Sequence, residues 1–135
     1  MPLKIALTGA TGFVGRAVVS AVMAKSSLVS ALVRDPARAE LNSNVRQVQG
    51  DLQNNAALDD LTRNADVVIH IAGVIGALRR NDFFVANEQG SLAVAEAAAR
   101  NGVKRFVHIS SLAAREPGLS MYGASKRAGE AAVEK

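Results

Sequence analysis

Short apolar runs recur along the chain, and longer segments that mix apolar and polar positions separate them. Runs of this length predict β-strands, and the segments between them have the periodicity of amphipathic helices. The predicted strands cover residues 3–7, 28–33, 45–48, 67–71 and 103–109. Strands that alternate with helices favour a parallel sheet with helices on both faces, so the pattern predicts an α/β fold.

The first helix and the composition of the later strands refine this prediction. The helix is predicted to extend to Lys25. Its expected apolar face consists of four residues at helical spacing: Val14, Val18, Ala21 and Val22. The strands at 67–71 and 103–109 are rich in Val and Ile, which is typical of strands buried on both faces. We therefore expect a sheet of five strands.

A glycine-rich segment, residues 8–15 with the sequence TGATGFVG, joins the first strand to the first helix. Gly9 would allow the sharp turn, Gly12 would leave bare backbone beside a pyrophosphate, and Gly15 would let the helix pack closely. The free N–H groups of a helix N-terminus attract such an anion. An ordinary helix-capping turn is the alternative, but the position between strand and helix favours dinucleotide binding. The expected contacts are Gly9, Thr11, Gly12, Phe13, Val14 and Gly15.

Composition narrows the possible functions of the chain. The 135 residues are 49% hydrophobic, which suits one soluble domain with a substantial core. The absence of cysteine excludes disulfides, thiolate metal sites and thiol catalysis. The net charge is +4, but the basic residues form no tract, so we expect no nucleic-acid partner. No apolar run is long enough for a membrane span and no signal-peptide pattern is present, so we expect a cytoplasmic protein.

The end of the second strand bears on the choice of cofactor. Asp35 followed by Pro36 is typical of a helix N-cap with proline at the first helical position, and the helix that follows has barely two turns. Arg34 stands where an adenosine ribose is expected, and its planar fork could hold a 2′-phosphate. A solvated arginine at a strand end is the alternative. The sequence favours NADP over NAD.

Two other strand ends offer cofactor contacts, because ligands of open α/β folds bind at the carboxyl ends of the strands. Asp51 and Leu52 follow the third strand, and Asp51 could meet the adenine amino group. Ala72 and Gly73 follow the fourth strand and could let the backbone lie close to the cofactor. Ordinary turns are the alternative in both places.

The residues suited to chemistry come late in the chain. Tyr122 and Lys126 share a face if their segment is helical, and an ammonium beside a phenol favours the ionised form of the phenol. Ser110 and Ser111 end the fifth strand, so a hydroxyl could stabilise charge on a substrate oxygen at the same edge. His70 and His108 are expected to be hydrogen-bonded residues of buried strands, and no metal-ligand spacing is present.

These motifs together resemble the extended short-chain dehydrogenase/reductases, the group that contains NAD-dependent epimerases and dehydratases. The resemblance covers essentially the whole chain and depends on the order and spacing of five motifs. The motifs are residues 8–15, Gly50-Asp51-Leu52, Asn87-Glu88-Gln89-Gly90 opening a long helix, residues 106–111, and Tyr122 to Lys126.

The resemblance implies a Rossmann-type doubly wound sheet with the strand order 3-2-1-4-5, which would leave the fifth strand as an apolar edge open to association. It also implies a catalytic role for four residues. Ser111, with Ser110 beside it, would polarise the substrate oxygen, and Tyr122 would transfer the proton. Lys126 would assist Tyr122 and hold the nicotinamide ribose. Asn87 would belong to the proton relay. An arginine placed like Arg34 is typical of NADP use in the reductase branch.

The implied activity is hydride transfer at a carbon that bears a hydroxyl or carbonyl, with nucleotide sugars among the expected small-molecule substrates. A non-catalytic dinucleotide-binding sensor or accessory subunit is the alternative. Members of the family continue beyond the tyrosine helix, so we expect a truncated piece, a natural fragment or a partner that covers the fifth strand. The helices at 87–100 and around Tyr122 are expected to pack against their copies in a homodimer.

Overall fold

The computed structural model of the chain describes residues 2–25, 27–73 and 79–134. Five parallel strands form one sheet in the order β3-β2-β1-β4-β5, which confirms the predicted fold class and strand order. The strands are β1 Lys4–Thr8, β2 Leu28–Val33, β3 Arg46–Gln49, β4 Val67–His70 and β5 Arg105–His108. Each strand end lies within two residues of its predicted position.

Helices cover both faces of the sheet. Their bounds are α1 Phe13–Met23, α2 Asn55–Thr62, α3 Arg80–Phe84, α4 Gly90–Arg100 and α5 Met121–Val133. Alternate residues of β1 point to opposite faces, so the sheet has two separate cores. Ile5 and Leu7 pack on the α1 side, whereas Ala6 packs on the side of α2 and α4. No helix in this described part of the chain combines the length and apolar character needed to cross a membrane.

The predicted apolar face of α1 is partly wrong. The helix ends at Met23, and its buried residues are Gly15 and Val19, with Val18 and Val22 packed beside them. Val14 and Ala21 are exposed instead. The helix has this orientation because of Gly15, where an added Cβ would collide with the carbonyl oxygen of Gly9. The helix therefore turns its glycine towards the preceding turn, which rotates Val14 away from the core.

The segment after β2 is shorter than predicted. It forms a single 3₁₀ turn, Pro36–Arg38, and not two helical turns. The predicted cap is present, since an Asp35 carboxylate oxygen accepts the N–H of Ala37 at 3.2 Å and Pro36 occupies the first position.

The helix predicted to open at Asn87 begins earlier. α3 starts at Arg80 and runs through a π-helical turn, Val85–Gln89, into α4. Asn87 is therefore buried inside a helical segment. Gly129 of α5 lies against the Asn87 carbonyl oxygen, so close that a side chain at position 129 would collide with it. This contact seats α5 on the π turn.

We predict that Gly129→Ala destabilises the chain by about 1–3 kcal/mol, although alanine is the better helix former. The added methyl group would push α5 off the π turn. Urea unfolding measures the effect. Gly118→Ala is the matched control, because nothing lies within 4 Å of the added Cβ there. Equal stability of the two variants would show that α5 does not pack on Asn87 as described.

Candidate functional site

A cleft of about 700 Å³ opens at the carboxyl edge of the sheet. It lies where β1 separates β2 from β4, the switch point at which open α/β folds bind ligands. Every predicted site residue except Ser111 lines this cleft. Those residues are Gly9, Thr11, Gly12, Phe13, Val14, Gly15, Arg34, Asp51, Leu52, Ala72, Gly73, Asn87, Tyr122 and Lys126.

The glycine-rich turn forms one wall of the cleft. Gly9 has a φ of 74°, and a Cβ there would lie 2.6 Å from the backbone nitrogen of Ala72. A Cβ on Gly12 would meet only the Gly9 carbonyl oxygen, at 3.6 Å, so this part of the backbone faces open space. Within the described part of the chain, no side chain caps the N-terminus of α1. The turn can therefore offer backbone N–H groups to an anion.

The end of β2 contributes Arg34 and Asp35 with different roles. Arg34 lines the cleft and forms no hydrogen bond or ion pair with another described residue. The Asp35 carboxylate is engaged by the N–H of Ala37 and, at 3.5 Å, by the Arg38 side chain. Asp51 accepts the N–H of Gln53 at 2.8 Å within its own turn. Arg34 is thus the side chain left available at this end.

Arg16 holds the loop after β2 against the glycine-rich turn, and sequence reasoning missed it. Its side chain donates to the carbonyl oxygens of Thr11 at 3.0 Å, Ala39 at 2.9 Å and Glu40 at 3.2 Å. Glu40 has a φ of 52°, an unfavourable conformation for a residue with a side chain. A basic residue one position after the third glycine was the available signal.

Tyr122 and Lys126 share a face of α5 and both line the cleft, as their spacing predicted. Lys126 is only 6% exposed, and its ammonium donates to the Ile109 carbonyl oxygen at 3.0 Å. Burial lowers the pKa of Lys126, and Glu130 nearby opposes that shift. Gly73 completes this end, since a Cβ there would lie 2.6 Å from the Asn87 side-chain oxygen and 3.8 Å from Lys126 Nζ.

The two serines after β5 occupy different positions. Ser110 lines the cleft, and its buried hydroxyl has no hydrogen-bond partner among the described residues. Ser111 caps the 3₁₀ turn Leu112–Arg115, where its hydroxyl accepts the N–H of Ala113 at 3.2 Å. Ser111 is not among the residues that line the cleft. The catalytic assignment of Ser111 therefore stays a prediction.

The two histidines differ in their hydrogen bonding. His70 is hydrogen-bonded as expected, with Nδ1 2.6 Å from the Thr8 hydroxyl and Nε2 3.0 Å from the Ser91 hydroxyl. His108 stacks on His70, but neither of its ring nitrogens has a partner among the described residues, so that expectation was wrong. Its strand lies at the sheet edge, where fewer groups surround it. Burial and the charge of Lys126 lower the pKa of His108, while Glu130 opposes them.

The sequence matches the NAD dependent epimerase/dehydratase family over residues 5–135. The chain belongs to that family. The epimerase/dehydratase motifs named from the sequence therefore fall within a region shared with known members.

Relatives with a similar sequence and structure extend beyond the region that this chain matches. The chain is 49% identical to ceramide reductase of Caulobacter vibrioides over 131 residues, which cover 96% of this chain and 41% of that protein. A short-chain dehydrogenase/reductase superfamily protein of Agrobacterium tumefaciens, solved with NAD, matches with a TM-score of 0.84 and 28% identity. That match covers 96% of this chain and 44% of the other.

A third match is UDP-glucuronic acid 4-epimerase from Bacillus cereus, solved with NAD. Its TM-score is 0.82 at 25% identity, and the match covers 98% of this chain and 52% of that one. The chain thus spans about half the length of these epimerase/dehydratase structures.

We predict that folding stability falls as the pH drops from about 6.5 towards 3. Burial, more than the charges of His108 and Lys126, lowers the pKa of His70 from 6.5 to about 3. Between these pH values His70 binds a proton in the unfolded chain but not in the folded chain. Each pH unit of decrease therefore lowers the free energy of unfolding by on the order of 1 kcal/mol. Urea unfolding between pH 5 and 7 would measure the slope, as an order-of-magnitude test.

His70→Gln is the comparison variant for this slope. It cannot titrate in this range, so its stability should depend less on pH than that of the wild type. The remaining slope belongs to other groups, among them His108, whose pKa is also lowered. The same slope in both proteins would contradict the burial of a neutral His70.

Proposed function

We propose that the chain is the cofactor-binding part of an NAD(P)-dependent oxidoreductase of the epimerase/dehydratase type. Its reaction would be hydride transfer at a substrate carbon that bears a hydroxyl or carbonyl. One observation carries the proposal: the glycine-rich turn, Asn87, Tyr122 and Lys126 all line the same cleft. A phosphate-binding wall and an acid–base pair are the two parts that such a reaction needs.

The positions of the cleft residues suggest which of them would bind the cofactor and which would act on the substrate. The turn and the N-terminus of α1 would hold the pyrophosphate, and Asp51 and Leu52 would lie by the adenine. When bound, the nicotinamide would supply or accept the hydride. Tyr122 would exchange a proton with the substrate oxygen, and Lys126 would hold the ribose beside it. Ser111, or the unpartnered hydroxyl of Ser110, would donate a hydrogen bond to that oxygen.

NADP is our proposed cofactor in preference to NAD. The support is the Arg34 side chain at the adenosine end, which pairs with no other residue that the structure describes, next to an Asp35 carboxylate that is engaged in capping. A ribose ligand of an NAD site would need an available carboxylate, whereas a 2′-phosphate needs an available cation.

The substrate that we propose is a lipid with a hydroxyl or carbonyl group, in preference to a nucleotide sugar. The relative with 49% identity is a ceramide reductase. Apolar side chains also stand exposed beside the catalytic segments: Leu112 is 79% exposed after Ser111, and Leu119 is 83% exposed before Tyr122. Such side chains can contact a hydrocarbon chain and have nothing to offer a sugar.

The expected homodimer remains a proposal. Its support is the alanine content of α4 and α5, although Ala97 and Ala98 of α4 are buried in the core of the chain itself. A dimer would therefore have to use the other face of α4, where Leu92 is 37% exposed.

We predict that Arg34→Ala weakens NADP binding about 10- to 100-fold and leaves NAD binding nearly unchanged. The expected loss is that of a charge-assisted hydrogen bond, about 1.5–3 kcal/mol. Calorimetric titration with both dinucleotides measures it. Arg38→Ala is the matched control, because Arg38 is an exposed arginine of the same loop that does not line the cleft. NADP binding that survives the loss of Arg34 would overturn the cofactor proposal.

We also predict that Tyr122→Phe lowers turnover by about 10²- to 10⁴-fold in the full-length protein, the usual contribution of an acid–base group. The substrates to test are ceramide and UDP-glucuronic acid, each with NADP⁺. The signal for ceramide is formation of the reduced cofactor, and the signal for UDP-glucuronic acid is the epimerised sugar, because an epimerase returns the hydride to its substrate. Dinucleotide binding by the same variant, measured in parallel, shows that the cleft is intact. Dinucleotide binding by the wild type without conversion of either substrate would favour the non-catalytic module instead.

A further inference from the structure

A series of hydrogen bonds between buried side chains connects the glycine-rich turn to Asn87. The series begins at Thr8. The Thr8 hydroxyl accepts the backbone N–H of Ala72 at 3.2 Å and that of Ile71 at 3.1 Å, and the Ile71 N–H is shared with the Thr8 carbonyl oxygen at 3.3 Å. A hydroxyl oxygen has two acceptor sites and one proton to donate. Because both acceptor sites are used, the proton must point to Nδ1 of His70, which lies 2.6 Å away.

This arrangement fixes the form of His70. Its Nδ1 accepts a proton from Thr8, so a neutral ring must carry its hydrogen on Nε2. Nε2 then donates to the Ser91 hydroxyl at 3.0 Å, and Ser91 donates onward to the Asn87 carbonyl oxygen at 2.8 Å. Every donor along this series of hydrogen bonds has an acceptor, and each bond has one direction. The neutral ring agrees with the lowered pKa of His70.

The connection continues from Asn87 to the tyrosine helix. The Asn87 amide nitrogen donates to the Ser125 hydroxyl at 2.9 Å, and Ser125 donates to the Tyr122 carbonyl oxygen at 2.8 Å. Asn87 is also held from the other side by Gly129. The π turn that carries Asn87 is therefore tied to β1 through His70 and to α5 through Ser125.

We propose that His70 is a positioning residue for Asn87: its Nε2–H tautomer links the end of the phosphate-binding strand to the π turn and so sets the Asn87 amide in the cleft. The inference builds on the proposed function, because the value of a placed Asn87 lies in the reaction of that cleft. A role in core packing alone would not require this chemistry. An apolar residue could fill the same volume without burying three polar side chains, each of which must be satisfied.

The first test is spectroscopic and needs no turnover. Nitrogen NMR of the protein with bound NADP⁺ distinguishes the two neutral tautomers of His70 and the charged ring. We expect the Nε2–H form. The Nδ1–H form or a charged ring at neutral pH would overturn the proposal. Since this measurement does not depend on any substrate, a failure of the proposed function would not be mistaken for a failure of this inference.

The second test uses variants that separate the two bonds of His70. The amide of His70→Gln can reach the position of Nε2 and preserve the link to Ser91, whereas His70→Asn reaches only the position of Nδ1. Ser91→Ala removes the link from the other side. We expect His70→Asn and Ser91→Ala to shift the side-chain amide signals of Asn87, and His70→Gln to retain them. If His70→Asn does not fold, Ser91→Ala decides alone.

The matched control is Thr62→Val. Thr62 is also fully buried, and its hydroxyl donates to the Leu58 carbonyl oxygen at 2.8 Å, far from the cleft. It should leave the Asn87 signals unchanged. In the full-length protein turning over ceramide with NADP⁺, we expect Ser91→Ala to lower kcat on the order of 10- to 100-fold with little change in KM for NADP⁺. Asn87 signals and kcat that match those of Thr62→Val would overturn the proposal.

Discussion

The close crossing of the β4 exit over the glycine-rich turn sets the geometry of the whole cleft. Gly9 adopts a φ of 74°, and the absence of its side chain lets Ala72 pass within van der Waals distance. Thr8 satisfies the two N–H groups of that crossing. Directly after this crossing, Gly73 lies close to the side chains of Asn87 and Lys126. A larger residue at position 9 would therefore disturb the phosphate-binding wall and the catalytic end together.

The fold was predictable because buried parallel strands must be apolar and helices must alternate with them. Strand bounds followed from that pattern, and the strand order followed from the resemblance to the family. The face of α1 did not, because Gly15 adds almost nothing to an apolar periodicity and yet stands where an added Cβ would collide with the Gly9 carbonyl oxygen. The π turn also left no signal in the sequence, since it depends on a tertiary contact with Gly129 and not on local preference.

The candidate site was predictable where residues stand at the ends of strands, since the topology brings those ends to one edge. Arg34, Asp51 and Gly73 reached the cleft for that reason. Ser110 and Ser111 could not be distinguished, because neighbouring residues of an extended segment point in opposite directions. The bond between Thr8 and His70 depends on the register of β1 against β4, in which these two residues are direct partners. No spacing along the chain reveals that register.

Lys126 is a buried cation beneath the cleft, and the Glu130 carboxylate acts on it from nearby. His70 and His108 lie in register on β4 and β5, their rings stack 5.6 Å apart, and the charge of Lys126 acts on both. A proton on either ring would repel Lys126, so the neutral imidazoles help the ammonium to keep its own charge despite burial. Thr8 and Ser91 fix the neutral form of His70 by hydrogen bonding. The network that we propose to orient Asn87 therefore also helps Lys126 to stay charged. His70 thereby couples the two ends of the site.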